Sequence, residues 1–556
     1  MRYDMNTQDF HGWFADFDQQ NFYYGKLSVE NGRIQAIEET GEIRLTWDQR
    51  DQVRPVILPG LIDSHVHIES SMLMPSRFAM QAVRFGTVAT VSDPHEIANV
   101  LGLPGIRLML QDAGQACFKI YFTAPSCVPA TMLETAGANL KAEDLNDLFV
   151  ERNVVALGEM MNYPGVLASD PEVIDKLNLA KRYGKRVDGH APGLSGPELD
   201  LYIQAGIDTD HECSEWSEAE EKIQKGMKVL IREGSSARNF EKLYPLIDKY
   251  PGLVMLCTDD YHPDDLMVGH INLLVNRAIS KGLNFFYVYQ AASLNPVKHY
   301  NLDTGLLNVG DSADFIIANG LEPLEVMATY IQGKPVFIND MIDVPVPSLT
   351  PLNLFNALPV SPADIMVFGE SGLYRIIRAW DGELLTGSET ATLLEKDGIV
   401  NGVVNNDILK IVVLNRYEPS KPAVGWISGF GLKKGAMASS IAHDSHNIIA
   451  VGASDSDIVE AINQIILHKG GIVCTESGNT QMLELPVAGL MSLGSAAEVG
   501  VRYALLSRQV KEFGSPLKAP FMALSFMALL VIPHLKIGDK GLFDCGSFKF
   551  ISLKAD

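Results

Sequence analysis

The chain reads as an α/β protein built on a (β/α)8 barrel, with a small β-sandwich domain formed from the segments on either side of the barrel and an extra C-terminal α+β domain. Three observations predict this. Between about residues 61 and 299, short apolar runs alternate seven or eight times with helix-like segments, the pattern of a parallel barrel. The flanking stretches, about 1–60 and 300–343, alternate apolar and polar residues in short strand-like runs. A Pro-rich stretch from Val344 to Pro362 then marks a linker, and mixed strand and helix patterns continue to Asp556.

Taken in order, KLSVENGRIQAIEE (26–39) has a hairpin pattern with Asn and Gly at its turn. A buried-strand run then leads into Pro59-Gly60-Leu61-Ile62-Asp63. Further barrel strands are expected in GTVATVSD, FKIYFTA, VVALGEM, RVDGHA, AGIDTDHE, KVLIREGS and LVMLCTDD. Beyond residue 300, DTGLLNVGDSADFIIA and MATYIQGKPVF return to strand patterns that would pair with the N-terminal strands. The run FMALSFMALLVIP, Phe521 to Pro533, is too short to span a bilayer. It reads as a buried helix or strand, or as a packing surface between the subunits of a homo-oligomer.

Bulk properties narrow the function. At 556 residues the chain is too long for one ordinary domain, and 47% hydrophobic with 20% charged residues is globular composition. A net charge of −23 repels polyanions and argues against nucleic-acid and anionic-membrane partners. The six cysteines form no CxxC pair, which argues against a thiolate zinc site and a disulfide scaffold. The start, Met1-Arg2-Tyr3-Asp4, lacks the basic-then-apolar pattern of a secretory leader. A cytoplasmic, reduced protein is expected.

In a parallel barrel the chemistry sits where strands end, and that is where the polar residues fall. His65 and His67 follow the apolar run ILPGLID, and two residues apart on a strand they face the same way. Glu159 closes VVALGEM, His190 closes RVDGH, His211 closes GIDTDH and Asp259 closes LVMLCTD. Each alone reads more readily as a structural residue than as a ligand. As a set, with one donor group per apolar strand end, they suit two divalent ions bridged by Glu159, and imidazole with carboxylate selects manganese, iron or zinc over calcium.

Other candidates lie nearby. His95 and Glu96, after GTVATVSD, face the expected barrel mouth; the competing reading is a helix cap, with Asp93 as N-cap and Glu96 completing a capping box. Arg238 would either bond substrate or orient its loop, and His262 is either a supporting group or a turn residue. His443 and His446, in HDSHN outside the barrel, would either bind metal or reach over the active site as candidate substrate contacts, against a solvated turn. The Gly-rich GFGLKKGA (429–436) does not make a phosphate loop.

PGLIDSHVHIESS, DPHEIANV, GEMMNYPGV, DGHAPGLSG, DHECS, LCTDDYHPDDL and SSIAHDSHNIIAVG together resemble the motif series of bacterial adenine deaminases, in the amidohydrolase superfamily. The resemblance implies a binuclear centre, manganese favoured with iron or zinc as alternatives. His65, His67, Glu159 and Asp259 would hold one ion, and Glu159, His190 and His211 the other. It also implies hydrolysis of adenine to hypoxanthine and ammonia, by hydroxide that two metal ions share and activate. Asp259 would then shuttle a proton to the departing ammonia, with Glu96 and His95 as further catalytic groups. Relatives that open cyclic amides place a carbamylated Lys at the fourth strand, where this chain has Glu159. An amidohydrolase acting on another purine or cyclic amide, and an inactive scaffold, are the remaining alternatives.

Overall fold

A computed structural model describes residues 7–342 and 344–555. The Met1 to Asp4 segment, used above to argue against a leader, lies outside the described residues, as do the expected edges at Asp343 and Asp556.

Four strands precede the barrel: β1 (Gln8–Asp16), β2 (Asn21–Glu30), β3 (Arg33–Leu45) and β4 (Val56–Pro59). β2 and β3 form the predicted hairpin, turning at Asn31 (φ 51°) and Gly32 (φ 76°). Asn and Gly are the residues that accept two successive left-handed positions at least cost.

The barrel strands are β5 (Leu61–His67), β6 (Thr87–Ser92), β7 (Lys119–Ala124), β8 (Val154–Met160), β9 (Arg186–Gly189), β10 (Thr209–Asp210), β11 (Lys228–Arg232), β12 (Val254–Cys257) and β13 (Asp259–Asp260). Every barrel ladder is parallel, and β13 closes onto β5 with Asp259 opposite Val66. β12 and β13 are one strand interrupted at Thr258, so eight strand positions make the ring. Between β9 and β10 single bonds replace the ladder: Asp208 N donates to Val187 O (3.2 Å), and Gly189 N to Thr209 Oγ1 (3.1 Å). The strands are covered on both faces, which is why they read as continuous apolar runs. Gly60 sits at the entry of β5, where a Cβ would come within 2.1 Å of Val88.

The chain then returns through β14 (Phe315–Leu321), β15 (Leu324–Ile331) and β16 (Lys334–Ile338). β14 pairs antiparallel with β4, so the segments flanking the barrel hydrogen-bond as one seven-stranded sheet. That sheet closes over its own core of Phe14, Leu27, Ile57, Phe315 and Tyr330.

Residues 344–361 carry no regular structure but are held down. The buried Arg416 donates to Asn353 Oδ1 (2.9 Å) and Leu354 O (3.3 Å), and Asn356 N donates to Arg416 O (2.7 Å). An eight-stranded sheet follows, and helix Asp455–His468 packs Ala461, Ile462 and Ile465 against it. The amides of Gly429 and Gly431, which an anion would need, donate to the Asp407 carboxylate at 2.6 Å each. The run from Phe521 forms helix Pro520–Ser525 and a further turn, Phe526–Ala528, within the main core. Its reading as a subunit surface therefore does not hold, because its apolar side chains are buried inside the chain. No helix among the described residues is long and apolar enough to cross a membrane.

Candidate metal centre

His65, His67, Glu159, His190, His211 and Asp259 converge over the C-terminal end of the barrel. Glu159 stands at the middle: Oε1 lies 3.3 Å from His67 Nε2, while Oε2 lies 2.7 Å from His190 Nδ1 and 3.1 Å from His211 Nε2. Asp259 Oδ1 lies 3.3 Å from His65 Nε2 and 3.1 Å from His67 Nε2. Ligand atoms of His65, Glu159 and His211 fall within 4.8 Å of one another, as do those of His65, His67 and Asp259. The ring nitrogen His65 Nε2 is buried without a hydrogen-bond partner. An orphaned imidazole nitrogen among carboxylates is the donor set and packing that a divalent cation satisfies.

Local chemistry aims these groups. His67 Nδ1 donates to Asp93 O (3.0 Å), which leaves Nε2 as the lone-pair nitrogen facing Glu159 and Asp259. Asp93 Oδ2 accepts from Glu159 N (3.0 Å), an approach open only because residue 158 is Gly; a Cβ there would stand 2.2 Å from that oxygen. Asp63 accepts from Thr258 N (3.0 Å) and His65 N (3.4 Å), tying β5 to the break before Asp259. Asp259 itself has φ 59°, a left-handed conformation that costs a side-chain-bearing residue about 1–3 kcal/mol and turns its carboxylate into the barrel mouth. Burial pushes the Asp259 carboxyl up, but Arg232, His65 and His67 outweigh it and hold it well below the usual carboxylate range. Glu159 behaves alike, with His190, His211 and His67 overcoming burial.

His95 and Glu96 also stand at this mouth. His95 Nδ1 lies 3.4 Å from Glu159 Oε1, and its Nε2 lies 3.5 Å from Glu96 Oε1. The capping-box reading does not hold: helix His95–Leu101 begins after Pro94 with no side-chain cap, and Ile97 N donates to Glu69 Oε1 (3.2 Å). Glu96 is occupied elsewhere. His443 Nδ1 bonds its Oε1 at 2.5 Å and His446 Nε2 bonds its Oε2. Ala442 N donates to His446 Nδ1 (3.2 Å), so His446 carries its proton on Nε2 and gives it to Glu96. Burial pushes both imidazoles down; Glu96 reverses this at His443, pushed up to about 9, whereas His446 stays lowered to about 4. The C-terminal domain thus reaches over the barrel and grips Glu96 with two histidines.

Arg238 is not in the cluster. Its side chain is 52% exposed and its Nε donates to Gly234 O (2.8 Å), orienting its own loop. His262 is buried edge-on to Tyr503 (4.7 Å) and lines, with Ser70 and His443, a cavity of about 10 Å³. That is room for one water. Two residues escaped sequence reasoning, Arg232 and Glu212. Arg232 Nη1 donates to Glu212 Oε1 and Asp259 Oδ2, each at 2.5 Å, and Nη2 to Glu212 Oε2 at 2.9 Å. The signal was present, since Arg232 closes the apolar run KVLI and Glu212 follows His211, but neither matches a simple metal-ligand spacing. Arg232→Met leaves two buried carboxylates without their cation and is expected to destabilise the protein by about 3–5 kcal/mol in urea unfolding. A loss below about 1 kcal/mol would show that Glu212 and Asp259 are compensated by other groups.

The model of the amidohydrolase family matches residues 56–336, and that of the adenine deaminase C-terminal domain matches residues 383–549. A protein of Methanosarcina mazei named adenine deaminase is 49% identical over 98% of this chain and 99% of its own length. One of Methanosarcina barkeri with the same name is 50% identical over 99% of this chain and all of its own length. One of a Sulfurovum species is 49% identical over 97% of this chain and 98% of its own. The first match spans the β-strands and barrel that carry the histidine and carboxylate cluster, and the second spans the domain that grips Glu96. The chain belongs to the adenine deaminase family of amidohydrolases.

Proposed function

We propose that this protein hydrolyses adenine to hypoxanthine and ammonia at a centre of two divalent ions, with manganese favoured over iron and zinc. The observation that carries the reading is the convergence of four histidines, Glu159 and Asp259 at the barrel mouth of a chain that matches adenine deaminases over nearly its whole length. His65, His67, Glu159 and Asp259 would hold one ion, and Glu159, His190 and His211 the other. When bound, the ions supply the acidity that makes water a nucleophile near neutral pH.

The remaining chemistry belongs to side chains. Attack of water on C6 forms the C–O bond and puts negative charge on the ring, and loss of ammonia breaks C6–N6. Two protons must therefore move. Asp259, whose Oδ2 is fixed by Arg232, uses Oδ1 to take a proton from the water and pass it to the departing nitrogen. Glu96, oriented by His443 and His446, takes the second proton of the attacking water and passes it to a ring nitrogen. His95, between Glu159 and Glu96, polarises the reacting oxygen.

The test is an assay of manganese-loaded protein against a chelated control, following hypoxanthine and ammonia. Metal-dependent turnover of adenine is expected; two bound ions without turnover would assign the site to another cyclic amidine or amide. Glu96→Gln keeps the size and an acceptor oxygen for His446 Nε2 but loses the carboxylate, so kcat is expected to fall about a hundredfold with metal content unchanged. Unchanged kinetics would leave Glu96 a structural tie. We further propose a cytoplasmic homo-oligomer, checked by fractionation and by sedimentation.

A further inference from the structure

One buried charge at the barrel mouth has no assigned task. Asp444, between His443 and His446, is 4% exposed, and its Oδ2 has no hydrogen-bond partner. The segment around it is pinned on every side. Tyr417 Oη bonds Ser445 O at 2.5 Å, Asn447 Nδ2 donates to Thr135 O (2.9 Å), and Arg416 N donates to Asn447 Oδ1 (3.2 Å). Asp444 therefore cannot swing away to find solvent. Its carboxyl feels Glu96, His95, His443 and Glu159, so it belongs to the same electrostatic neighbourhood as the candidate centre. A buried carboxylate oxygen left unpaired costs about 1–3 kcal/mol or more, and a site keeps such a cost where a ligand donor removes it.

A purine base offers that donor. With C6 and N1 directed to the barrel groups, the imidazole edge of adenine points away from the centre. Free adenine carries an N–H on that edge, at N9 or N7, whereas a nucleoside bears its sugar at N9 and has neither. We propose that Asp444 reads this edge, its free Oδ2 accepting the ring N–H, and so restricts the enzyme to free purine bases over nucleosides and nucleotides. The inference rests on the adenine reading above. The competing task for Asp444 is structural, as a neighbour of the buried Glu134, whose Oε1 is likewise unpartnered.

The experiment compares adenine with 9-methyladenine, which keeps the reacting edge and lacks the N–H. Wild type is expected to favour adenine by at least about tenfold in KM or Ki, the value of one hydrogen bond to a charged group. Asp444→Ala, which removes the acceptor, is expected to raise KM for adenine by a similar factor, to leave kcat within about threefold, and to erase the preference. Metal content should stay at the wild-type value. A wild type that does not discriminate overturns the proposal without any variant, which guards against variants that fail to fold. So does a folded, metal-loaded variant whose KM and preference are unchanged, or whose thermal stability falls while the preference persists. A wild type with no adenine turnover at all rejects the parent reading, and this one with it.

Discussion

Asp259→Asn is expected to lower kcat for adenine by at least about a thousandfold while metal content is unchanged. Asn keeps the shape and one oxygen toward His65 and His67, and it accepts left-handed backbone more readily than most residues. The φ of 59° at this position is therefore tolerated and the fold retained. What Asn lacks is a carboxylate that can gain and release a proton. The Arg232 contact to Oδ2 sharpens the test, because it leaves only Oδ1 for proton transfer. Elemental analysis beside the kinetics separates the outcomes. Substantial turnover with two ions bound would remove the shuttle role, and turnover lost together with an ion would make Asp259 chiefly a ligand.

Glu159→Ala carries the second large effect. Its Oε1 meets His67 and its Oε2 meets His190 and His211, so one side chain serves both halves of the candidate centre. Removing it leaves Asp259 as the one carboxylate among the six candidate ligands, too little negative charge for two dications. Metal content is expected to fall below one ion per chain, and kcat/KM by at least about ten-thousandfold. Retention of two ions after dialysis would show that Glu159 does not bridge. A variant keeping one ion with partial activity would confine the chemistry to the other half.

The barrel was legible because its strands are buried on both faces. Short apolar runs closed by polar residues then mark both the element and the end that carries the candidate ligands, as at VVALGEM and RVDGH. Strand periodicity put His65 and His67 on one face, while only the set of strand-end residues suggested a metal. The capping reading of Glu96 failed because a local pattern, Asp-Pro-His-Glu, competes with partners more than three hundred residues away. Which partner wins depends on the distance to His443 and His446, and no spacing in the sequence carries that distance. Arg232 and Glu212 were missed for the same reason: a buried ion pair joins two strands and has no sequence period.

By itself the sequence determined what rests on periodicity and residue chemistry: the parallel barrel, the strand-end positions of six metal-type side chains, and the flanking strands that return to pair with one another. The tertiary structure decided the rest. It placed FMALSFMALLVIP in the core, turned Arg238 outward, put Asp93 behind Glu159 through the space left by Gly158, and folded the HDSHN segment over Glu96. The division is physical. Period and propensity act between neighbours in the chain, whereas pairing, desolvation and close approach act between atoms that only the fold brings together.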